Sequence, residues 1–564
     1  MKNRFAEIPK VDLPRCSFDR SFSHKTTFNA GKLVPIYWEE VVPGDSWNCK
    51  VNLFARMTSP LTVPIMDNMY LEMQFFFCPL RLVWDNFEKF MGSQENPGDS
   101  TDYLFPSATW RTIPSGGLLD YLGLPVGLSG DIKFNNLLMR AYWEVWNEWY
   151  RDQNLQDSAP VSKDDTNKIW DGGNSRENKI NGNMWCFDLA PRAKRHDYFT
   201  SALPWPQKGP GVELPLGDTA PVIGNGLTLG LTNGTANGGL LSKIVGVVDN
   251  PGGFTASSTA YGAAVGPTSE GASGSFGNGL FGEFARVGVT DDPAKSGLVA
   301  DLSNATAATI NSLRQAFQLQ RMFERDSRGG TRYREVLRSH YSVVSPDARM
   351  QVPEYLGGFS QPIIVNPVTQ TSSTDGTTPQ GNLSAFAVTG ASRQGFVKSF
   401  VEHGYIIGLA SVRADLTYSQ GISRLLSHTV RESLYFPALA HLGEQAILNK
   451  EIFAQGLDVL NSKGTPVDDD VFGYQERWAE LRYHPNMVTG LMRPQAANNL
   501  AIWNLAQDFE SLPQLSHEFI VEQPPMQRVS AVPSQPDFML DCFFKQKVAR
   551  SMPVYSVPGL IDHF

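Results

Sequence analysis

Three stretches of the chain alternate between apolar positions and mostly polar ones. Trp47, Cys49, Val51, Leu53, Ala55 and Met57 are separated by Asn48, Lys50, Asn52, Phe54 and Arg56. Met69, Leu71, Met73, Phe75 and Phe77 alternate with Tyr70, Glu72, Gln74 and Phe76, and Phe538, Leu540, Cys542 and Phe544 with Met539, Asp541, Phe543 and Lys545. A period of two predicts strands with one buried face. Shorter strands are expected from Leu33 to Trp38, before a Pro43-Gly44-Asp45 turn, and within Phe400 to Tyr418. Long alternating strands joined by Pro-rich connections suggest an antiparallel sandwich or barrel, with the late strand pairing with early ones to close the sheet.

Helical periodicity is clearest in Leu137 to Tyr150, LLMRAYWEVWNEWY, which is apolar nearly all round. Such a helix is expected in the core rather than at a membrane interface, despite its Trp and Tyr content. Residues 303–327 read as an amphipathic helix with Ile310, Leu313, Phe317, Leu319, Met322 and Phe323 inward. A third helix is expected after Thr331, ended by Ser345-Pro346-Asp347. Residues 1–30 keep neither period and read as an arm of phenylalanines and basic residues lying along another surface. Val365 to Gly395, rich in Thr and Ser, reads as a loop. The last residues, RSMPVYSVPGLIDHF, read as a docked tail.

Composition narrows the class. The chain has 564 residues, a formal net charge of −9 and only 19% charged residues, which disfavours a globally basic nucleic-acid binder while leaving room for a local basic face. Residues 206–297 hold 21 of the 50 glycines and few charges, so they read as a large surface insertion rather than a plain linker. The five cysteines are scattered, with no C-x-x-C, and are expected as core thiols in a reducing compartment. The N-terminus shows no apolar signal-peptide core, and no run of residues reaches the length of a membrane span.

Chemical motifs are sparse. GNGLFG at 277–282 matches a dinucleotide fingerprint but lacks the preceding strand and following helix. His441 and Glu444, expected on one helical face, make at most a weak metal pair with no third ligand in sight, and Asp468-Asp469-Asp470 lacks calcium-loop spacing. No nucleophile elbow, phosphate loop or kinase set occurs, so no catalytic, cofactor or metal residues are assigned. The densest chemistry lies in Arg328 to Gly358, with five arginines, three carboxylates and three tyrosines in one run. Arginine forks pair with carboxylates, stack on rings and bind phosphates, so this run reads as a recognition surface; Phe472 to Gly490 repeats its character.

Several stretches resemble one family. SPDARMQVPEYLGG (Ser345 to Gly358), Ala438 to Pro485, the end ARSMPVYSVPGLIDHF, and the early IYWEEVVPGDSW and MYLEMQFFFCPLRLVWDNF are similar to the major capsid proteins of Microviridae, closest in kind to the gokushovirus branch. The likeness runs the length of the chain apart from the Gly-rich insertion and some loops. It implies an eight-stranded antiparallel jelly roll with long loop insertions and several helices. Sixty such subunits would form a T=1 icosahedral shell around circular single-stranded DNA. The implied division is an arm (1–30), barrel parts at 31–205 and 298–564, and a protrusion (206–297) that meets the bacterial host surface. Implied partners are other copies of the chain in pentameric assembly units, packaged DNA, and other virion proteins such as a DNA-binding or pilot protein, with assembly in the host cytoplasm and no membrane insertion.

On this reading Arg328, Arg332, Arg334, Arg338, Asp347, Glu354, Glu476, Arg477 and Arg482 are the candidate subunit-interface residues. Lys2, Arg4, Lys10, Arg192, Lys194 and Arg195 are the candidate DNA-facing ones. The competing reading is a jelly-roll carbohydrate-binding protein or glycosidase. It needs an aromatic groove with two convergent carboxylates or a calcium site, and is usually exported.

Overall fold

The computed structural model describes residues 15–110, 113–165, 187–212, 310–344, 351–372 and 379–555, together with short strand segments between residues 168 and 300. The chain divides into two units, Met1–Gly209 with Phe323–Phe564, and Pro210–Met322.

The first unit is built on nine strands: β1 Cys16–Asp19, β2 Phe22–Phe28, β3 Val34–Val41, β4 Ser46–Met57, β5 Met69–Pro79, β6 Glu354–Thr369, β7 Leu383–Ser399, β8 Gly404–Ala414 and β9 Phe538–Arg550. All pair antiparallel, in the order β1-β9-β4-β7-β6-β5-β8-β3, with β2 also on β9. β1 and β2 are one edge strand broken at Arg20, so the barrel has eight strand positions. β6 belongs to both sheets. Glu354 to Ile363 pairs with β5, and Ile364 to Thr369 pairs with β7. One sheet therefore reads β1/β2, β9, β4, β7 and the other β3, β8, β5, β6, which is the strand order of a jelly roll. The expected eight-stranded barrel is the fold observed.

The alternating stretches behave as their period requires. All six apolar residues of β4 are buried and the residues between them are exposed, and β9 follows the same rule. The two sheets meet through rings. Phe75 on β5 lies 5.1 Å from Phe396 on β7, and Tyr37 on β3 lies 4.8 Å from Phe544 on β9. Edge and offset contacts of this kind add to simple area burial. Cys49, Cys78 and Cys542 are buried free thiols, with burial pushing Cys49 and Cys542 up to about 12.

β5 departs from a one-faced strand, since Phe76 and Cys78 on its second face are also buried. The reason is helix α1 (Leu137–Val145), continued as a π turn over Trp146–Tyr150, which covers that face. Phe76 packs 5.6 Å from Trp149 and 5.7 Å from Tyr150, whose hydroxyl donates to Gln74 Oε1 at 2.5 Å. The helix is buried, as its all-round apolar pattern indicated.

Three expectations are corrected. Residues 16–28 are not arm but the edge strands β1 and β2, held by β9. Residues 365–395 are mostly strand; β6 and β7 are long but half-exposed, so their Thr, Ser and Gly residues mask any alternation. Within β6, Gly357-Gly358 carries the strand across a bulge, where a Cβ on Gly358 would sit 2.6 Å from the Met73 carbonyl oxygen. In the described part of the tail Met552, Val554 and Tyr555 are exposed rather than docked on their own subunit, and residues 556–564 lie outside the described residues.

In the second unit the described residues include two short antiparallel pairs, Val222–Gly224 with Leu298–Ala300 and Leu231–Thr232 with Arg286–Val287. Helix α2 (Ile310–Gly329) runs across the unit boundary. Phe317, Leu319 and Met322 on it are exposed, contrary to the expectation that they face inward. The glycine motif at 277–282 and most of 206–297 lie outside the described residues.

Candidate interaction site

The Arg-rich run after α2 folds into helix α3 (Tyr333–Tyr341). Glu335 starts it by accepting the backbone N–H of Arg332 at 3.3 Å, and Ser342, left-handed at φ 56°, ends it. The stop is thus Ser342 and not the Ser345-Pro346-Asp347 turn, which falls outside the described residues together with the candidate Asp347. Arg332 and Arg334 reach back to the end of the π turn. Their guanidinium groups lie 3.2 and 3.1 Å from the Glu148 carboxylate, and Arg334 sits over the Trp149 ring. Burial raises the Glu335 pKa, but hydrogen bonds from Gln153 and Arg332 outweigh it and hold the carboxyl below its ordinary value.

Most of the other candidates are also paired within the subunit. Arg328 binds Glu444 and lies 3.7 Å from Glu476, and Arg482 binds the other oxygen of Glu476. Glu354 takes Lys398 at 2.7 Å, and Arg477 lies over the Trp478 ring and donates to the Glu432 carbonyl. Arg338 is exposed and has no ion pair among the described residues. Glu444 is on a strand, Glu444–Leu448, and not on a helix with His441, so that pair offers no metal site. Among the described residues no group of three His, Cys, Asp or Glu could hold a metal, and no helix is long and apolar enough to cross a membrane.

The loop cations expected to face DNA are engaged elsewhere. Arg192 and Arg195 bind Glu72 on β5 at 3.2 and 3.1 Å, and Arg413 on β8 joins them at 2.7 Å. Burial acts to raise the Glu72 pKa, yet the surrounding arginines lower it. Lys194 is buried over the Phe519 ring, and burial brings it down to about 8. Glu522, buried beside this cluster, is pushed up to about 7 by loss of water. Arg195 also binds Asp415 at 3.1 Å, so Arg192 and Arg195 are both held by carboxylates of their own subunit. Lys2, Arg4 and Lys10 lie outside the described residues.

A different surface escaped the sequence reading. The outer face of the β2-β9-β4-β7 sheet has Lys25, Lys50, Arg56, Arg393, Lys545 and Lys547 exposed on it, with Phe54 and Phe543 exposed among them. The signal was present in the polar half of each alternation. What the sequence could not supply was the register that sets Lys50 opposite Lys545 and Asn52 opposite Phe543.

The barrel is filled with aromatic side chains, and its ion pairs lock its own segments together. Jelly rolls of this kind occur in viral capsid subunits, lectins and cupins, so the fold defines the class of scaffold and not its role. The chain belongs to the phage capsid protein (F protein) family, whose profile matches residues 6–560. It is similar to the capsid protein VP1 of Chlamydia phage 1, at 41% identity over 588 aligned residues covering 99% of this chain and 98% of that protein. Capsid protein VP1 of Bdellovibrio phage phiMH2K is likewise 41% identical, covering 100% of this chain and 98% of its own. Capsid protein VP1 of Spiroplasma virus 4 is 36% identical over 95% of this chain and 94% of its own. The protein is a phage capsid protein and a virion component, in a family of structural proteins rather than enzymes.

Proposed function

We propose that the chain assembles through pentameric units into a T=1 icosahedral shell enclosing circular single-stranded DNA, within the cytoplasm of a bacterial host. Other virion proteins, such as a DNA-binding or pilot protein, join it there, and residues 206–297 meet the host surface. The observation that carries the assembly reading is α3. It has no buried residue, and Tyr333 and Tyr341 are 76% and 71% exposed, followed by exposed Val343 and Val344. A helix pinned to its subunit by arginines while its tyrosines face outward is suited to a neighbouring copy. The ion pairs of Arg328, Arg332, Arg334, Glu476 and Arg482 then act by positioning this surface, and Arg338 is free to cross to the neighbour. The capsid proteins named above support the shell reading.

The test is sedimentation with negative-stain electron microscopy of the purified chain over a range of salt and pH. Closed shells or pentamers are expected; a compact monomer at every condition would overturn the reading. Replacing 217–282 by a short linker is expected to leave shells intact and reduce infection.

A further inference from the structure

The outer face of the β1/β2-β9-β4-β7 sheet carries a charge opposite to that of the chain. Six exposed cations, Lys25, Lys50, Arg56, Arg393, Lys545 and Lys547, stand there against two carboxylates, Asp19 and Asp541, while the whole chain has a net charge of −9. Only Lys25 has a carboxylate partner among the described residues, Asp541 at 3.6 Å. Lys25 and Lys547 lie opposite Asp541 and Asp19, but one cation pair is arranged against the fold's interest. Lys50 on β4 lies directly opposite Lys545 on β9, and like charges across a strand pair destabilise it. An anion laid over the pair removes that penalty.

Three further features give the face the form of a binding platform. Phe54 and Phe543 are 53% and 44% exposed and lie on adjacent strands two residues apart in register, opposite Asp541 and Asn52 respectively. Gly390 and Gly395 of β7 lie opposite Phe54 and Lys50, so no side chain from that strand crowds either residue. Arg393 sits between them at a bulge with φ 60°, a left-handed conformation that is strained for a side chain of its type, and its N–H donates to Asn52 Oδ1. Bulges and left-handed residues aim side chains where function uses them. Asp19 is held below the usual carboxylate range first by hydrogen bonds from Ser21 and then by Lys547 and Lys545.

We propose that this sheet face is the surface on which the capsid protein holds single-stranded nucleic acid. Lys50, Arg393, Lys545 and Lys547 would neutralise phosphates, and bases would stack on Phe54 and Phe543. Unpaired cations interleaved with exposed rings and amides suit a flexible strand whose bases are free to stack, and they contain no arrangement that reads a particular base. The proposal rests on the reading that the shell encloses single-stranded DNA, and it places this face on the inside of the shell. It also moves the DNA contacts away from Arg192, Lys194 and Arg195, which serve Glu72 and the neighbouring core.

The test is binding of the full chain to a fluorescein-labelled oligothymidylate of about 30 nucleotides across a salt titration, with polyglutamate as competitor. Each phosphate contact contributes about 0.7 to the slope of log affinity against log salt for a single strand. Lys50→Gln with Lys545→Gln is expected to lower that slope by about 1.4. Phe54→Leu with Phe543→Leu is expected to weaken binding by about tenfold or more at fixed salt with the slope unchanged. Arg393→Gly relieves the backbone and removes the charge, so it is expected to fold at least as stably while lowering the slope by about 0.7. An unchanged slope and affinity in these folded variants would overturn the proposal. So would polyglutamate competing as well as the oligonucleotide, which would mark the face as a site for an acidic protein segment. Nuclease-protected DNA in particles from the same variants separates the two readings. Wild-type shells without DNA would defeat the enclosure reading itself. Variant shells with full wild-type DNA content would defeat only this assignment of the face.

Discussion

The two sheets of the barrel share one core and differ in what covers their backs. Behind β5 and β8 lie α1, the π turn and the Arg192 to Arg195 loop, so both faces of those strands are buried and Glu72 is neutralised by three arginines. Behind β4 and β9 no described element packs, and the exposed face keeps lysines without partners. Cations therefore do opposite work on the two faces. On the covered face they offset the cost of burying carboxylates, and the result is rigidity. On the bare face they stabilise little and remain available to a ligand. Counting arginines and lysines along the chain cannot separate these roles, because the role is set by what lies behind the strand.

The largest expected effect comes from breaking the covered face. Phe76→Ala removes a ring held between Trp149, Tyr150 and Tyr355, and should cost about 3–5 kcal/mol in denaturant unfolding. Phe54→Ala, the same chemical change on the bare face, should stay within about 0.5 kcal/mol. If the two costs were equal, the contrast between the faces would be wrong.

The next effect depends on pH. Glu522 has a folded pKa raised to about 7 from 4.5, so its folded form keeps a proton that the unfolded chain has released. Stability is complete below the unfolded value, falls as pH rises toward 7 and is flat beyond, a loss of about 3 kcal/mol. Glu522→Gln should remove this slope in thermal melts between pH 4.5 and 7.

Arg332→Ala removes one partner each from Glu148 and Glu335, leaving them Arg334 and Gln153, and loosens α3 from the π turn. It should cost about 1–3 kcal/mol and shift the protein concentration needed for assembly upward in light scattering. The smallest effect belongs to the bare face. Lys545→Gln relieves the repulsion with Lys50 and should raise stability by a few tenths of a kcal/mol, measurable as a higher melting midpoint, although it weakens oligonucleotide binding.

How much of this was legible follows from the same contrast. β4 and β9 were readable because one face is wet and the other dry, which writes a period of two into the sequence. α1 was readable because it is buried on nearly every side. β6 and β7 were not, since half-exposed strands built from Gly, Ser and Thr carry no contrast between faces. The basic, phenylalanine-rich β2 looked like an arm because its burial depends on β9, more than 500 residues away in sequence. The Arg-rich run was found and its pairings with carboxylates were expected. Its partner Glu148, nearly two hundred residues earlier in the chain, has no local signal. The bare basic face was written in plain view as the polar half of two alternations, but only their antiparallel register brings Lys50 to Lys545 and Phe54 near Phe543.

The most direct measurement is an electron cryomicroscopy reconstruction of particles formed by the full chain. The expected result is a closed shell in which the β1/β2-β9-β4-β7 sheet lines the interior, with density for nucleic acid against Phe54, Phe543 and the lysines around them. A shell with that sheet on its outer surface, or chains that form no shell at all, would contradict it.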